Sequence, residues 1–231
     1  MRVLVTGAAG KVGTILVRGL KRRHELRGFD QVPMPLLDDS TVGDIADFDT
    51  VVKATKGMDA IIHLAGGEYE WERCLNNIKG TYNVLEAARQ NGVRRVAYAS
   101  RAGLLPGAAY PKSIQRTVDM IPRPDSYYSL TKVFAESLGS MYHDRFGTEF
   151  VAVRIGNCNP ERPLPQHPHQ LGHADAVRVF EQAIIYPWVG FEIVFGVSDS
   201  NWPLYDIEHG RRAIGYNPVD RSYVPEDEWE Q

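Results

Sequence analysis

The apolar residues of this chain fall into short unbroken runs, separated by longer stretches in which they recur every three or four positions. Runs at 3–5, 26–29, 60–64, 95–99, 150–154 and 191–195 predict buried strands, because a strand covered on both faces shows little polar alternation. The periodic stretches predict helices over 11–22, 48–55, 72–91, 129–146 and 175–185. In the third of these the stripe is Leu75, Ile78, Tyr82, Leu85 and Ala88, and Asn91-Gly92 ends it. Strands alternating with helices predict an α/β fold of Rossmann type, a doubly wound parallel sheet with a small C-terminal lobe. Segments 103–125 and 157–172 break the rhythm, the second with four prolines. Connections beyond the carboxyl ends of parallel strands line the binding crevice of such sheets, so substrate contacts are expected there.

Thr6-Gly7-Ala8-Ala9-Gly10-Lys11-Val12-Gly13 directly follows the first run. Three glycines at this spacing, between a strand and a helix, make a seat for a pyrophosphate. Gly7 permits the tight turn, Gly10 the close approach of backbone to phosphate, and Gly13 the packing of helix on strand. The backbone from Ala9 through Lys11 and Val12 would meet the anion at the positive end of the helix dipole. Asp30 closes the second run, about 20 residues further on, where a carboxylate can accept both hydroxyls of an adenosine ribose and repel a 2′-phosphate. That favours NAD over NADP. Arg22, Arg23 and Arg27 are the opposing signal, read either as solvated charge or as phosphate ligands.

Tyr128 and Lys132 stand at i and i+4 on one helical face. A phenol with its ordinary pKa of about 10 is a poor base at neutral pH. A neighbouring ammonium and a positively charged nicotinamide both favour phenolate, so Tyr128 can take the proton of a substrate hydroxyl while hydride passes to the cofactor. Tyr127 competes for the role but has no lysine four residues on.

With 231 residues, 43% of them apolar, the chain can bury a core as one domain with a small lobe. Residues 1–156 read as the NAD-binding domain, including the Tyr/Lys helix, and 157–231 as a substrate-binding lobe partly interleaved with it. A net charge of −3 gives no case for nucleic acid or a membrane surface as partner. Met1 leads straight into the first strand, and only Cys74 and Cys158 are present. Both features read as a cytoplasmic chain with core thiols and no signal peptide.

Taken together these motifs resemble the extended short-chain dehydrogenase/reductase superfamily, which includes the NAD-dependent epimerase/dehydratases. The glycine loop is similar to its cofactor fingerprint. Asp44-Ile45 resembles its adenine-contacting pair, and His63-Leu64-Ala65-Gly66 the strand end that passes beneath the cofactor. The helix beginning at Asn77 and the Tyr128/Lys132 pair resemble further family motifs. Within the superfamily the likeness is to the uronate dehydrogenase group, carried by 130–136, 141–147, 153–158, 172–175 and 215–218. The resemblance implies an NAD-dependent oxidoreductase acting on a hydroxyl of a small sugar, sugar acid or polyol-like substrate. It implies that Ile155 contacts the nicotinamide through its backbone, and that the helices around 77–88 and 128–146 can form a homodimer interface. An epimerase or dehydratase of a sugar derivative is one alternative, and a non-catalytic NAD(H)-binding regulator is another.

The departures from that group lie on the substrate side. Its Ser-Ser pair reads Ser100-Arg101 here, and its sugar-holding Asn-His pair reads Ala102-Gly103. Glu68 stands where that group has a serine, and its carboxylate-binding arginine falls near Pro165. Three readings of the altered pair are open: Ser100 shifts into the catalytic position, Arg101 grips an anionic substrate, or Arg101 faces solvent and the site is weakened. Glu68, Arg101, Ala102 and Asn157 are the candidate substrate contacts. His167, His169 and His173 lie in the proline-rich segment, where a pocket-lining loop is favoured over a metal site because no Cys or carboxylate completes a ligand spacing. Packing is the expected role of Trp71, Trp188 and Trp202.

Overall fold

A computed structural model describes residues 1–67 and 70–229. The predicted runs become β1 (Arg2–Thr6), β2 (Glu25–Asp30), β4 (Ala60–His63), β5 (Arg95–Arg101), β6 (Glu149–Ile155) and β7 (Phe191–Gly196). With β3 (Asp39–Val42) they form one parallel sheet in the order β3-β2-β1-β4-β5-β6-β7. The order reverses at β1, the strand that feeds the glycine loop, and this is where a crevice opens in doubly wound sheets. β3 was not predicted: its residues Asp-Ser-Thr-Val are mostly polar and half or fully exposed, because it is an edge strand.

The helices are α1 (Lys11–Leu20), α2 (Phe48–Thr55), α3 (Trp71–Gln90), α4 (Tyr127–Phe146), α5 (His173–Ile185) and the short α6 (Glu208–Ile214). One core layer holds Val3, Val5, Leu16, Ala97, Val151 and Phe180, beneath α1 and α5. The opposite layer holds Leu4, Phe29, Ile61, Val84, Tyr98 and Phe150, beneath α2, α3 and α4. Alternate residues of each strand thus feed opposite faces, as a doubly covered sheet requires. Beyond residue 156 the chain re-enters these layers through α5 and β7. Cys158, Leu171, Ile214 and Tyr216 join the first layer too, while the segments that include the two-stranded pair β8 (Asp199–Ser200) and β9 (Arg221–Ser222) contribute to two small clusters around Phe195 and Trp202.

On α3 the structure corrects the predicted stripe. Leu85 and Ala88 of that stripe are buried and Ile78 partly so, but Leu75 and Tyr82 are exposed, and Cys74, Asn77, Gly80, Thr81 and Val84 are buried in addition. Small residues occupy the buried face because α3 packs closely on α2 and on the turn before it. A Cβ at Gly80 would approach Ile45 Cγ2 to 2.6 Å. Both cysteines are buried and unbridged. Of the tryptophans, Trp202 is packed, Trp71 is half exposed against Tyr127, and Trp188 is almost fully exposed, contrary to its expected packing.

Candidate active site

The glycine loop makes a cradle that side chains would fill. Gly7 turns with φ +71°, and a Cβ there would lie 2.8 Å from Ala65 N. Gly13 faces back into the turn, where a Cβ would collide with the Gly7 carbonyl oxygen. The loop and the Leu64-Ala65-Gly66 segment are therefore in backbone contact. Leu64 N donates to Thr6 O at 3.1 Å and Ala65 N to Thr6 Oγ1 at 3.4 Å. Gly10 caps α1 with no side chain, and the first turn of α1 carries no acidic residue, which leaves its dipole end open to an anion.

Asp30 sits at the rim of this cradle. Its carboxylate accepts Ala9 N at 2.9 Å and Gln31 N at 2.8 Å, which fixes it beside the loop. Two of the three nearby arginines are committed elsewhere: Arg23 pairs with Glu181, and Arg27 holds Asp39 and the carbonyls of Ala54 and Lys56. Asp44 accepts Ala46 N and is exposed, whereas Ile45 is buried and its carbonyl accepts Asn83 Nδ2 at 3.0 Å. Asn77, on the buried face of α3, lies beside Gly66, and its Nδ2 is buried with no hydrogen-bond partner among the described residues. The cradle, the rim carboxylate and that unpaired buried amide fit a dinucleotide laid across the carboxyl edge of the sheet.

α4 brings the chemistry to the same edge. Ser126 caps it through Ser129 N, so the helix starts two residues earlier than predicted and takes in Tyr127. Tyr127 is largely exposed against Trp71, whereas Tyr128 is half-buried and turned toward Lys132. Lys132 is buried, donates from Nζ to Ala99 O at 2.9 Å, and lies 4.9 Å from the Tyr128 ring centre and 4.8 Å from that of Tyr98. Burial drives its pKa down to about 7, with Glu136 opposing. His63, bonded to Thr6 and Thr81, is held neutral by burial and by Lys132, with a pKa lowered to about 3.

The depressed lysine has a consequence for stability. The unfolded chain binds a proton at Lys132 that the folded chain resists, so this group costs stability below about pH 7 and the cost fades as pH rises toward 10.5. Lys132→Met should raise the thermal midpoint of the ligand-free protein at pH 6 by on the order of a few degrees. The gain should shrink in melts at pH 10, and a gain independent of pH would refute the assignment.

Two substrate-side candidates have other partners in the fold. Ser100 is buried, and its Oγ donates to Glu136 Oε1 at 2.6 Å. Glu136 in turn accepts Arg154 Nε and Nη2, each at 2.9 Å. Glu136 stands eight residues beyond Tyr128, about 12 Å further along the helix, so Ser100 meets the buried ion pair and not the catalytic pair. Ala102 is also buried, in the apolar cluster with Leu105, Phe195 and Val197. Arg101, the last residue of β5, reaches the start of α4. Its guanidinium holds Asp125, with Nη1 2.9 Å from Oδ1, and Ser129 Oγ. The Ser129 hydroxyl, and after it the Arg101 guanidinium, hold Asp125 below the usual carboxylate range against the effect of burial. Arg101 thus fastens the start of α4. Asn157 is exposed, and its backbone pairs with 169–171. Ile155 ends β6 beside Arg101 and Gly196. Glu68 lies outside the described residues.

Glu136, Arg154 and Asp125 were not anticipated as parts of the site. Glu136 had a sequence signal, since it continues the i, i+4 row of Tyr128 and Lys132, but Arg154 and Asp125 join it only in space. Among the described residues no group of three His, Cys, Asp or Glu could hold a metal ion, and no helix is long and apolar enough to cross a membrane.

Comparison with known proteins agrees with this geometry. Residues 3–178 match the NAD dependent epimerase/dehydratase family. The uronate dehydrogenase of Pseudomonas syringae pv. tomato is 37% identical over 235 residues, covering 96% of this chain and 83% of that one. An NAD-dependent glucose-6-phosphate dehydrogenase of Haloferax volcanii is 34% identical over 249 residues, covering 95% and 94%. A crystal structure of a mutant uronate dehydrogenase from Agrobacterium tumefaciens, complexed with NAD, superposes with a TM-score of 0.87 at 34% identity, covering 96% and 85%. With its cradle, rim carboxylate and Tyr/Lys pair placed along one sheet edge, this chain belongs to the NAD dependent epimerase/dehydratase family.

Proposed function

We propose that this protein is an NAD-dependent dehydrogenase that oxidises a hydroxyl of a small, free sugar or sugar acid. The observation that carries the reading is the placement of Tyr128 over Lys132 at the end of β5, on the edge where the glycine cradle opens. NAD, when bound, accepts the hydride from the carbon being oxidised. Gly7, Ala9, Gly10, Lys11, Val12 and Gly13 seat its pyrophosphate and Asp30 its adenosine ribose. Asp44 and Ile45 lie toward the adenine. Leu64, Ala65, Gly66, Asn77 and Ile155 line the remaining length. Tyr128 Oη takes the substrate's hydroxyl proton, and a protonated Lys132 beside it favours the phenolate that can do so.

With Ser100 bonded to Glu136 and Arg101 to Asp125, we assign the part of the rate that polarising the substrate hydroxyl would supply to orientation between the loops. The uronate and sugar-phosphate dehydrogenases among its relatives support the same substrate class.

The test is to mix the protein with NAD and a panel of aldoses, uronates and aldose phosphates and follow NADH absorbance. At least one of them should be turned over. NADH binding without turnover of any would replace this reading with that of a regulator. Asp30 makes a separate prediction. NAD should bind at least about tenfold more tightly than NADP, one tenfold step corresponding to the loss of a single good polar contact. Asp30→Ala should narrow that gap, and equal affinities in the unaltered protein would sink the assignment.

A further inference from the structure

Two connections rise from neighbouring strands, 102–126 after β5 and 156–172 after β6, and they bring three basic side chains together. The rings of His167 and His169 have centres 4.1 Å apart. His167 meets the edge of Trp202 at 5.2 Å, and Lys112 Nζ lies 5.9 Å from the centre of the same indole. Burial, the partner imidazole and the Lys112 ammonium hold the His167 pKa down to about 4, while burial and Lys112 lower that of His169. Among the described residues no carboxylate forms a salt bridge with any of the three, and the buried Nδ1 of His167 has no hydrogen-bond partner. Near neutral pH the group is therefore the Lys112 ammonium beside two neutral imidazoles, with no carboxylate paired to it among the described residues, and a bound anion would supply the missing counter-ion.

The cluster is anchored to the edge where the chemistry sits. Asn157 N donates to His169 O at 2.8 Å, and a Cβ at Gly156 would collide with that carbonyl. Gly156 directly follows Ile155, so His169 is fastened to the end of β6. The Lys112 loop is held from within by Arg116, which is buried and donates to the carbonyls of Tyr110, Pro111 and Ile114. Arg101, at the end of β5, is already paired with Asp125. Two imidazoles without a third ligand do not make a metal site.

We propose that Lys112, His167 and His169 form the anion subsite of the substrate pocket, seating the carboxylate or phosphate of a sugar at the end remote from the oxidised carbon. The proposal rests on the sugar-dehydrogenase reading above. It gives the chain its own replacement for the carboxylate-binding arginine whose place falls near Pro165.

The test measures binding by calorimetry with NADH bound, using D-glucuronate, glucose 6-phosphate and glucose as probes. It compares the unaltered protein with Lys112→Met and with the double variant His167→Gln/His169→Gln. At least one anionic sugar should bind about tenfold or more tightly than glucose, the scale of one charge-assisted hydrogen bond. In both variants that advantage should fall to within about threefold while glucose affinity stays as it was. The carboxylate and phosphate arms show which anion the subsite takes. The proposal is overturned if no anionic sugar binds more tightly than glucose, or if the preference is unchanged in either variant. Because binding is read without turnover, the two readings fail separately. Anion preference in a protein that forms no NADH removes the dehydrogenase and keeps the subsite, and turnover without anion preference does the reverse.

Discussion

Tyr128→Phe is expected to lower turnover by at least about 100-fold while leaving NADH affinity within a small factor of that of the unaltered protein. The reason is specific to one oxygen. The ring of Tyr128, with its contact to Lys132 Nζ at 4.9 Å, survives the change, so the pocket and the cofactor cradle are undisturbed. Only the group that accepts the substrate proton is lost. Tyr127→Phe is the matched control: its ring packs on Trp71 at the surface and has no lysine beneath it, so it should turn over normally. Steady-state kinetics with NADH fluorescence titration on the same samples would check both. Equal losses in the two variants, or a loss of cofactor binding in Tyr128→Phe that matches its loss of rate, would remove Tyr128 from the role of base.

The second large effect is on stability. Glu136→Leu should destabilise the protein by about 3–5 kcal/mol, because it leaves Arg154 charged and buried without its partner. Arg154 is 1% exposed and gives Glu136 both Nε and Nη2, while its remaining described contact is a 3.2 Å bond to Val118 O. The same substitution strips Ser100 of its acceptor. Paired replacement, Glu136→Leu with Arg154→Met, should recover much of the loss, since an apolar pair of similar volume carries no desolvation penalty. Urea unfolding of the single and double variants separates these outcomes. Additive losses would mean that the ion pair is not the source of the effect. Glu136 follows Lys132 by one turn of α4, so the pair with Arg154 of β6 lies next to that lysine along the helix.

These two expectations differ in how visible they were before the fold was known. Tyr128 and Lys132 are four residues apart on one helix, and a helix places such residues together by its own geometry. Glu136 extends the same row, so its facing was available from spacing alone. Arg154 was not: it sits in a run that reads as an apolar strand, and nothing local shows that its guanidinium crosses to α4. Ser100 shows the opposite case, a residue whose partner its chain position did not indicate. Its position in the chain matched the family's serine pair within one residue, but on a strand a shift of one residue changes which face a side chain presents.

What the sequence determined by itself was whatever depends on short-range geometry. This covers the strand–helix alternation, the glycine turn before α1, the carboxylate ending β2 and the Tyr/Lys pair, each set by residues within one or two turns of one another. The α3 stripe marks the limit of that reasoning. Period alone named Leu75 and Tyr82 as core, and the tight approach of α2 and the 43–46 turn instead buried the face of small residues. Tertiary structure alone decided the substrate side. Arg101 was tied down by Asp125, 24 residues away, and Ser100 by Glu136, 36 residues away. Lys112 was brought to His167 and His169 by two loops from adjacent strands. Such pairings form only when the sheet order places β5 beside β6, and no local pattern in the chain encodes that neighbourhood.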